Sequence, residues 1–370
     1  MPYIPYHPEK ILIEPGVENH PITQAILQRL PGVPVEVLNN PDVVVQSYLQ
    51  KADPLTAGMK ILYLGRQEGR FLKPCPGTSN YLCCGYNFLN IATHCDIDCS
   101  YCILQGYLNN PFMRVYVNLE DLFNEVETFL ATHPQQVFRI GTGELTDSLT
   151  LDHITQYSRQ LVPFFAHQTN AILELKTKTT NIDNLLDLPH RGRTMVSWSL
   201  NPNRLIETEE KKAPALEERL AAARKCQEAG YLLGFHFDPL ICYDGWESDY
   251  HDVVEQIFDM VNPDGIGWIS LGALRYPAHV DEIIRRRHPE SCIVLGELIP
   301  GKDGKLRYFR PIREEMFRQM ISWIHALAPQ VTVYLCMESP EVWQKVYPDP
   351  PIASCPLSKI LDCAVFPRAR

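Results

Sequence analysis

The chain has 370 residues, 45% of them apolar and 21% charged, enough to bury a sizeable core and too apolar for a disordered chain or a disulfide-stapled mini-fold. Its formal net charge of −10 excludes a general nucleic-acid coat, so any contact with DNA or RNA must use a local patch. No run of 18 apolar residues exists to span a membrane, and residues 1–10 lack the apolar stretch of a secretory leader, so a cytoplasmic chain is expected.

In chain order, residues 10–13 read as a strand, 22–30 as a helix and 35–38 as a strand. These suggest a small N-terminal α/β lobe with its linker, residues 1–80, ending in a Pro/Gly-rich loop over 73–80. An alternation of strands and helices follows. Strands are expected at 87–92, 137–140, 171–175, 195–200, 232–237 and 267–271, and helices at 119–131, within 149–165, at 215–229 and at 253–261. The helix over 215–229 opens with Glu217 and Glu218, closes with Arg224 and Lys225, and is followed by Gly230, matching the macrodipole and a left-handed cap. A helix over 313–327 and an apolar run over 331–335 belong to a C-terminal α/β extension, residues 279–370.

Repeated βα units predict a parallel sheet, wound either doubly or as a barrel. Polar groups decide between them. His94–Cys102, Gly141–Glu144, Lys176–Thr180, Ser199–Asn201 and His236–Asp238 each fall at or just past a strand's C-terminal end. In a barrel those ends converge on one mouth, whereas a doubly wound sheet spreads them along an edge. The expectation is a full or partial barrel.

Twelve cysteines are many for a reducing compartment and point to metal, redox or catalytic work. Six fall between Cys75 and Cys102. Cys95, Cys99 and Cys102 have C-x3-C-x2-C spacing, and three thiolates on a tight loop can hold three irons of a [4Fe–4S] cluster, leaving one iron open. A zinc site completed by His94, Cys83 or Cys84 is the alternative, although structural zinc usually shows paired C-x2-C units.

The loop, with Tyr101 before its last cysteine, resembles the radical S-adenosylmethionine superfamily. Residues 99–105 (CSYCILQ), 114–119 (RVYVNL), 145–153 (LTDSLTLDH), 219–225 (RLAAARK), 230–235 (GYLLGF) and 244–246 (DGW) are similar to the spore photoproduct lyase family. The resemblance covers residues 88–275 best. It implies a partial (βα)6 barrel over residues 81–278, a [4Fe–4S] cluster on Cys95, Cys99 and Cys102, and S-adenosylmethionine chelated by the open iron. One electron would then cleave the sulfonium, and the resulting 5′-deoxyadenosyl radical would abstract hydrogen from substrate. The same resemblance places Tyr101, Gly143, Glu144, Lys178, Ser199 and Asn201 around the cofactor, with Lys176 an alternative to Lys178, and strand placement points His236 and Asp238 into the same mouth. It further implies a flavodoxin- or ferredoxin-type electron donor and a thymine photolesion in DNA as substrate.

Two positions depart from the family. Glu144 stands where the lyase has a hydrogen-returning cysteine, and Ile103 stands where it has a tyrosine. Cys242 and Cys336 are the substitute hydrogen donors that strand placement suggests, whereas Cys75, Cys83 and Cys84 fit no motif. Residues 285–313 form a basic stretch carrying Tyr308, Phe309 and a hairpin turn at 301–304, suited to DNA contact. The absent thiol leaves open a radical enzyme acting on a peptide or small metabolite, and the loop alone leaves open a non-catalytic zinc or iron–sulfur protein.

Overall fold

The computed structural model describes residues 3–77 and 80–366. Thr78 and Ser79 of the expected loop, residues 1–2 and residues 367–370 lie outside them. The main sheet contains seven mutually parallel strands: Asn87–Leu89 (β1), Phe138–Gly141 (β2), Ala171–Thr177 (β3), Thr194–Ser199 (β4), Leu232–Leu240 (β5), Ile266–Ala273 (β6) and Val333–Leu335 (β7). Their order across the sheet follows their order along the chain. A doubly wound sheet must reverse at a switch point, so this order is that of a barrel. Leu72–Pro74 pairs antiparallel with β1, and neither it nor β7 pairs with the other, which leaves the barrel open. Pro74 is tolerated because it lies on that edge.

Continuous burial explains why these strands carry apolar runs: every residue of β4 and β6 is buried, as is all of β3 except Lys176. The helix Leu216–Glu228 between β4 and β5 matches its expected span, and Gly230 beyond it has φ +90°.

A second sheet joins the N-terminal strands Lys10–Ile13, Val35–Val37 and Ile61–Gly65 to Met113–Tyr116 and Ala92–Thr93. It therefore crosses residue 80, where the sequence suggested a lobe boundary. The expected strand over 87–92 is split, with β1 in the barrel and Ala92–Thr93 in the lobe sheet. The cysteine loop leaves from that junction.

The C-terminal extension contains the expected hairpin, Leu298–Pro300 paired with Lys305–Tyr308, with Arg275–Pro277 on its other side. The helix Leu357–Val365 packs against the barrel wall. Its Asp362 accepts from Arg139 Nε of β2 at 2.8 Å, and Val365 lies so close to Gly267 that a Cβ there would come within 3.1 Å. No helix among the described residues is long and apolar enough to cross a membrane.

Candidate active site

The cysteine loop is pinned from three sides. His94 N–H donates to Leu145 O beyond β2 at 2.9 Å, and Ser100 N–H donates to Glu209 O at 2.9 Å. Ser100 Oγ also bonds the Glu209 carboxylate, which accepts from Ser291 Oγ at 2.6 Å. From the far side, Arg287 Nη2 reaches both oxygens of Asp98 at 2.9 and 3.1 Å, while its Nη1 donates to Gln105 at 3.0 Å and its Nε reaches Asp53 of the lobe. His94 and Asp98 adopt left-handed backbone, φ +69° and +53°, which coils the loop tightly.

Burial pushes the thiols of Cys95, Cys99 and Cys102 up, and the Lys178 ammonium opposes this at Cys99 and Cys102. Among the described residues, the one trio of metal-ligating side chains with all ligand atoms within 4.8 Å of one another is His251, Asp252 and Glu255, on a helix remote from this loop in the sequence. A tetrahedral zinc with bonds of ~2.3 Å holds its thiolates about 4 Å apart. Cys95, Cys99 and Cys102 do not form such a close-set trio, and a [4Fe–4S] cluster asks each thiolate to take its own iron.

Beside the thiols, the predicted residues Tyr101, Lys178 and Asn201 converge on one carboxylate that sequence reading missed. Glu210 accepts from Tyr101 OH, from Asn201 Nδ2 at 2.8 Å and from Arg219 Nη2 at 2.6 Å, with Lys178 Nζ 3.9 Å away. Burial alone would raise Glu210. Arg219, Lys178 and the two hydrogen bonds overcome it and hold the carboxyl down at about 2. Arg219, itself fully buried, also donates to Ser199 O at 2.9 Å, which ties the end of β4 to the same knot. Lys178 is placed by Asp147, whose Oδ2 accepts from its backbone N–H at 2.7 Å.

Deeper in the barrel, Glu174 of β3 accepts from Ser197 Oγ at 2.6 Å and His236 Nε2 at 2.8 Å. His236 is thus committed to a buried pair, and Glu174 is held at about 2 against its burial, chiefly by His236. Gly143 lies against β3, where a Cβ would sit 3.0 Å from Lys176 Cβ, and this close approach brings Glu144 to Lys176. Lys176 is raised despite its burial, first by Glu144 and then by Glu174 and Asp238. Asp238 is engaged by Arg275, Nη1 to Oδ1 at 3.0 Å and Nη2 to Oδ2 at 3.2 Å. Arg275 also reaches Cys336 Sγ at 3.5 Å. Cys242 lies elsewhere: its N–H donates to Tyr308 OH of the hairpin at 3.1 Å, and its charged neighbours are Glu247 and Asp244.

The basic stretch is largely self-neutralised. Arg285 pairs with Asp281, Lys302 with Glu341, Arg307 with Asp303, Arg310 with Glu314 and Arg313 with Glu338, while Arg287 clamps the cysteine loop. Tyr308 is buried, whereas Phe309 is 57% exposed, so of the two aromatics only Phe309 faces outward.

A family model described as spore photoproduct lyase matches residues 78–334. The spore photoproduct lyase of Geobacillus sp. (strain Y412MC61) is 25% identical over 306 residues, 79% of this chain and 86% of that protein. That of Bacillus subtilis (strain 168) is 24% identical over 302 residues, with the same coverage. A solved spore photoproduct lyase mutant with dinucleoside spore photoproduct superposes with a TM-score of 0.80 at 24% identity, covering 90% of this chain and 100% of that one. Another, with bound AdoMet and dinucleoside spore photoproduct, gives 0.78 at 23% identity with equal coverage.

Proposed function

Because the chain belongs to the spore photoproduct lyase family, we propose that it is a radical S-adenosylmethionine lyase that opens a thymine photolesion in DNA. The observation that carries the reading is the Lys178 ammonium set beside Cys99 and Cys102 at the barrel mouth. Cys95, Cys99 and Cys102 would hold three irons of a [4Fe–4S] cluster and leave the fourth to S-adenosylmethionine. When bound, cluster and cofactor supply a 5′-deoxyadenosyl radical that abstracts hydrogen from the lesion.

The protein's own residues orient and shield this chemistry. Lys178 would meet the methionine carboxylate, and Glu144 with the Gly143 backbone would receive the ammonium. Tyr101 and Asn201 present fixed surfaces because Glu210 holds both. Ser199 lies at the same end of β4. His236 and Asp238 shape the lumen through Glu174 and Arg275 rather than through free side chains. Phe309, which directly follows the hairpin as N-cap of the helix Arg310–Leu327, is the aromatic available to the gap left by an extruded lesion. A flavodoxin- or ferredoxin-type protein would deliver the electron. All twelve cysteines are free, in keeping with work in the cytoplasm.

Anaerobic reconstitution tests the assignment. The protein should take up about four irons per chain and, with dithionite, convert S-adenosylmethionine to 5′-deoxyadenosine. Cys99→Ala should lose both. Lys178→Met should keep the iron and raise the KM for S-adenosylmethionine about tenfold. Undiminished cleavage in Cys99→Ala would overturn the reading.

A further inference from the structure

We infer that Lys176 reads the substrate, its ammonium donating to a carbonyl oxygen of the lesion base, an inference that rests on the reaction proposed above. Lys176 and Lys178 share one strand face, and their surroundings give them different ligands.

Strand geometry points Lys176 into the barrel. Glu174 reaches across to Ser197 of β4 and His236 of β5, so its face of β3 is the lumen face. Side chains alternate along a strand, which puts Lys176 and Lys178 on that same face with Cα atoms about 6.6 Å apart. Lys178 stands at the mouth, 3.9 Å from Glu210 beside the cysteine loop. Lys176 therefore occupies the layer between the cofactor residues and the Glu174 floor. Its backbone is fixed by Ser148, whose Oγ accepts from Lys176 N–H at 2.9 Å and whose N–H donates to Lys176 O at 3.0 Å. Gly143 packs against it so closely that a Cβ would come 3.0 Å from Lys176 Cβ, and no side chain from that position screens the lysine. Every other residue of β3 is buried, whereas Lys176 is only half-buried. On an inner strand facing the lumen, that remaining exposure opens toward the mouth.

The ammonium has no partner of its own. Among the described residues no acidic oxygen lies within 4.0 Å of its Nζ, and no side-chain or backbone group accepts from it. The carboxylates nearest in the lumen are already engaged, Glu174 by Ser197 and His236 and Asp238 by both ends of Arg275. A half-buried cation without an acceptor is costly unless a ligand supplies one. Burial works against its charge, but Glu144, Glu174 and Asp238 overcome that, so it stays an ammonium and a donor only.

Charge selects the ligand. With Arg275 counted, two positive and three negative groups meet in this layer. A phosphate or a second carboxylate would add to the negative excess and be repelled. A neutral acceptor adds no charge and still satisfies the donor, and the carbonyl oxygens of a thymine ring are such acceptors. Lys178, whose neighbour Glu210 is neutralised by Arg219, is free to take the cofactor's carboxylate instead. One strand thus fixes cofactor and base in successive layers, which sets the base edge-on to the reacting position.

Two affinities separate the lysines. Lys176→Met should weaken binding of dinucleoside spore photoproduct about tenfold and leave the KM for S-adenosylmethionine, measured without lesion, where it was. Lys178→Met should do the reverse. A KM for S-adenosylmethionine raised in Lys176→Met as in Lys178→Met would overturn the assignment and give both lysines to the cofactor. A second arm uses the wild-type protein without cofactors, whose fold is not in question. Dinucleoside spore photoproduct, which carries no phosphate, should slow reductive methylation of Lys176 but not of exposed Lys225, read by peptide mass spectrometry. Equal methylation with and without the lesion would remove Lys176 from the substrate site. Protection by inorganic phosphate would overturn the carbonyl reading in favour of an anion site. Absence of any S-adenosylmethionine cleavage would instead sink the radical reading itself, with the methylation arm still deciding what Lys176 meets.

Discussion

Glu210 and Glu174 show how buried carboxylates build this site. Each would be raised by its burial, yet Arg219 with Lys178, and His236, pull them from an ordinary 4.5 to about 2. A carboxyl depressed in the folded state binds its proton more readily in the unfolded chain. Its contribution to stability is therefore complete above about pH 4.5 and is lost as the pH falls toward 2. Acid titration followed by circular dichroism should show unfolding in that window, and Glu174→Gln should flatten the pH dependence there. Glu210→Gln leaves the buried Arg219 guanidinium without its counter-charge, and thermal melts should show a loss of about 3–5 kcal/mol. A loss under about 1 kcal/mol would mean that the knot contributes little.

Neither acid was singled out from the sequence, although Tyr101, Lys178, Asn201 and His236 around them were. One charge in a run of four, as Glu210 is within residues 209–212 (EEKK), is indistinguishable from a solvated one until the fold brings Tyr101, Asn201 and Arg219 to it. A signal did exist for Arg219 and Glu174. Arg219 falls among Leu216, Leu220, Ala223 and Cys226 on the buried face of its helix, and Glu174 interrupts the apolar run of β3. A charge on an apolar face implies a buried partner.

At the level of elements, the cysteine loop depends on contacts that local sequence does not announce. Arg287 belongs to a run that reads as a basic surface, yet its side chain is 3% exposed and joins Asp98 to Asp53. Arg287→Ala should lower iron retention after reconstitution and lower the melting temperature, whereas exposed Arg286→Ala should change neither. Equal behaviour of the two variants would remove Arg287 from loop support. Just past the hairpin, Phe309→Ala should weaken binding of lesion-containing duplex in fluorescence anisotropy by about 1 kcal/mol, within the range for a stacked aromatic, without changing S-adenosylmethionine cleavage. Unaltered affinity would exclude Phe309 from the DNA contact.

Long periodic segments were legible: the apolar runs of β3 to β6 and the helix Leu216–Glu228 follow from spacing and caps. Short elements were not. Ile61–Gly65, Met113–Tyr116 and the helix Asn203–Glu209 are too brief to establish a period, and they become regular by pairing or packing with distant residues. The hairpin was legible through its turn, where Gly304 supplies φ +75°.

For the whole molecule, strand order places the chemistry. Seven parallel strands in chain order bring the loops after β1 to β5 to one mouth, and the polar clusters at their C-terminal ends pointed to that arrangement. The open seam followed from the family resemblance, which implies a partial barrel, and not from the strand pattern, because edge strands differ from inner ones only in what they fail to pair with. Its consequence is that Cys75 and Cys336, far apart in sequence and on opposite edges, come near enough for Cys75 to help raise the Cys336 thiol.

The most direct measurement is anaerobic incubation of the reconstituted, dithionite-reduced protein with S-adenosylmethionine and dinucleoside spore photoproduct, with separation of the nucleoside products. The account predicts thymidine formed together with lesion-stimulated 5′-deoxyadenosine, and neither from Cys99→Ala. Cofactor cleavage that ignores the lesion and leaves it intact would contradict the assigned substrate.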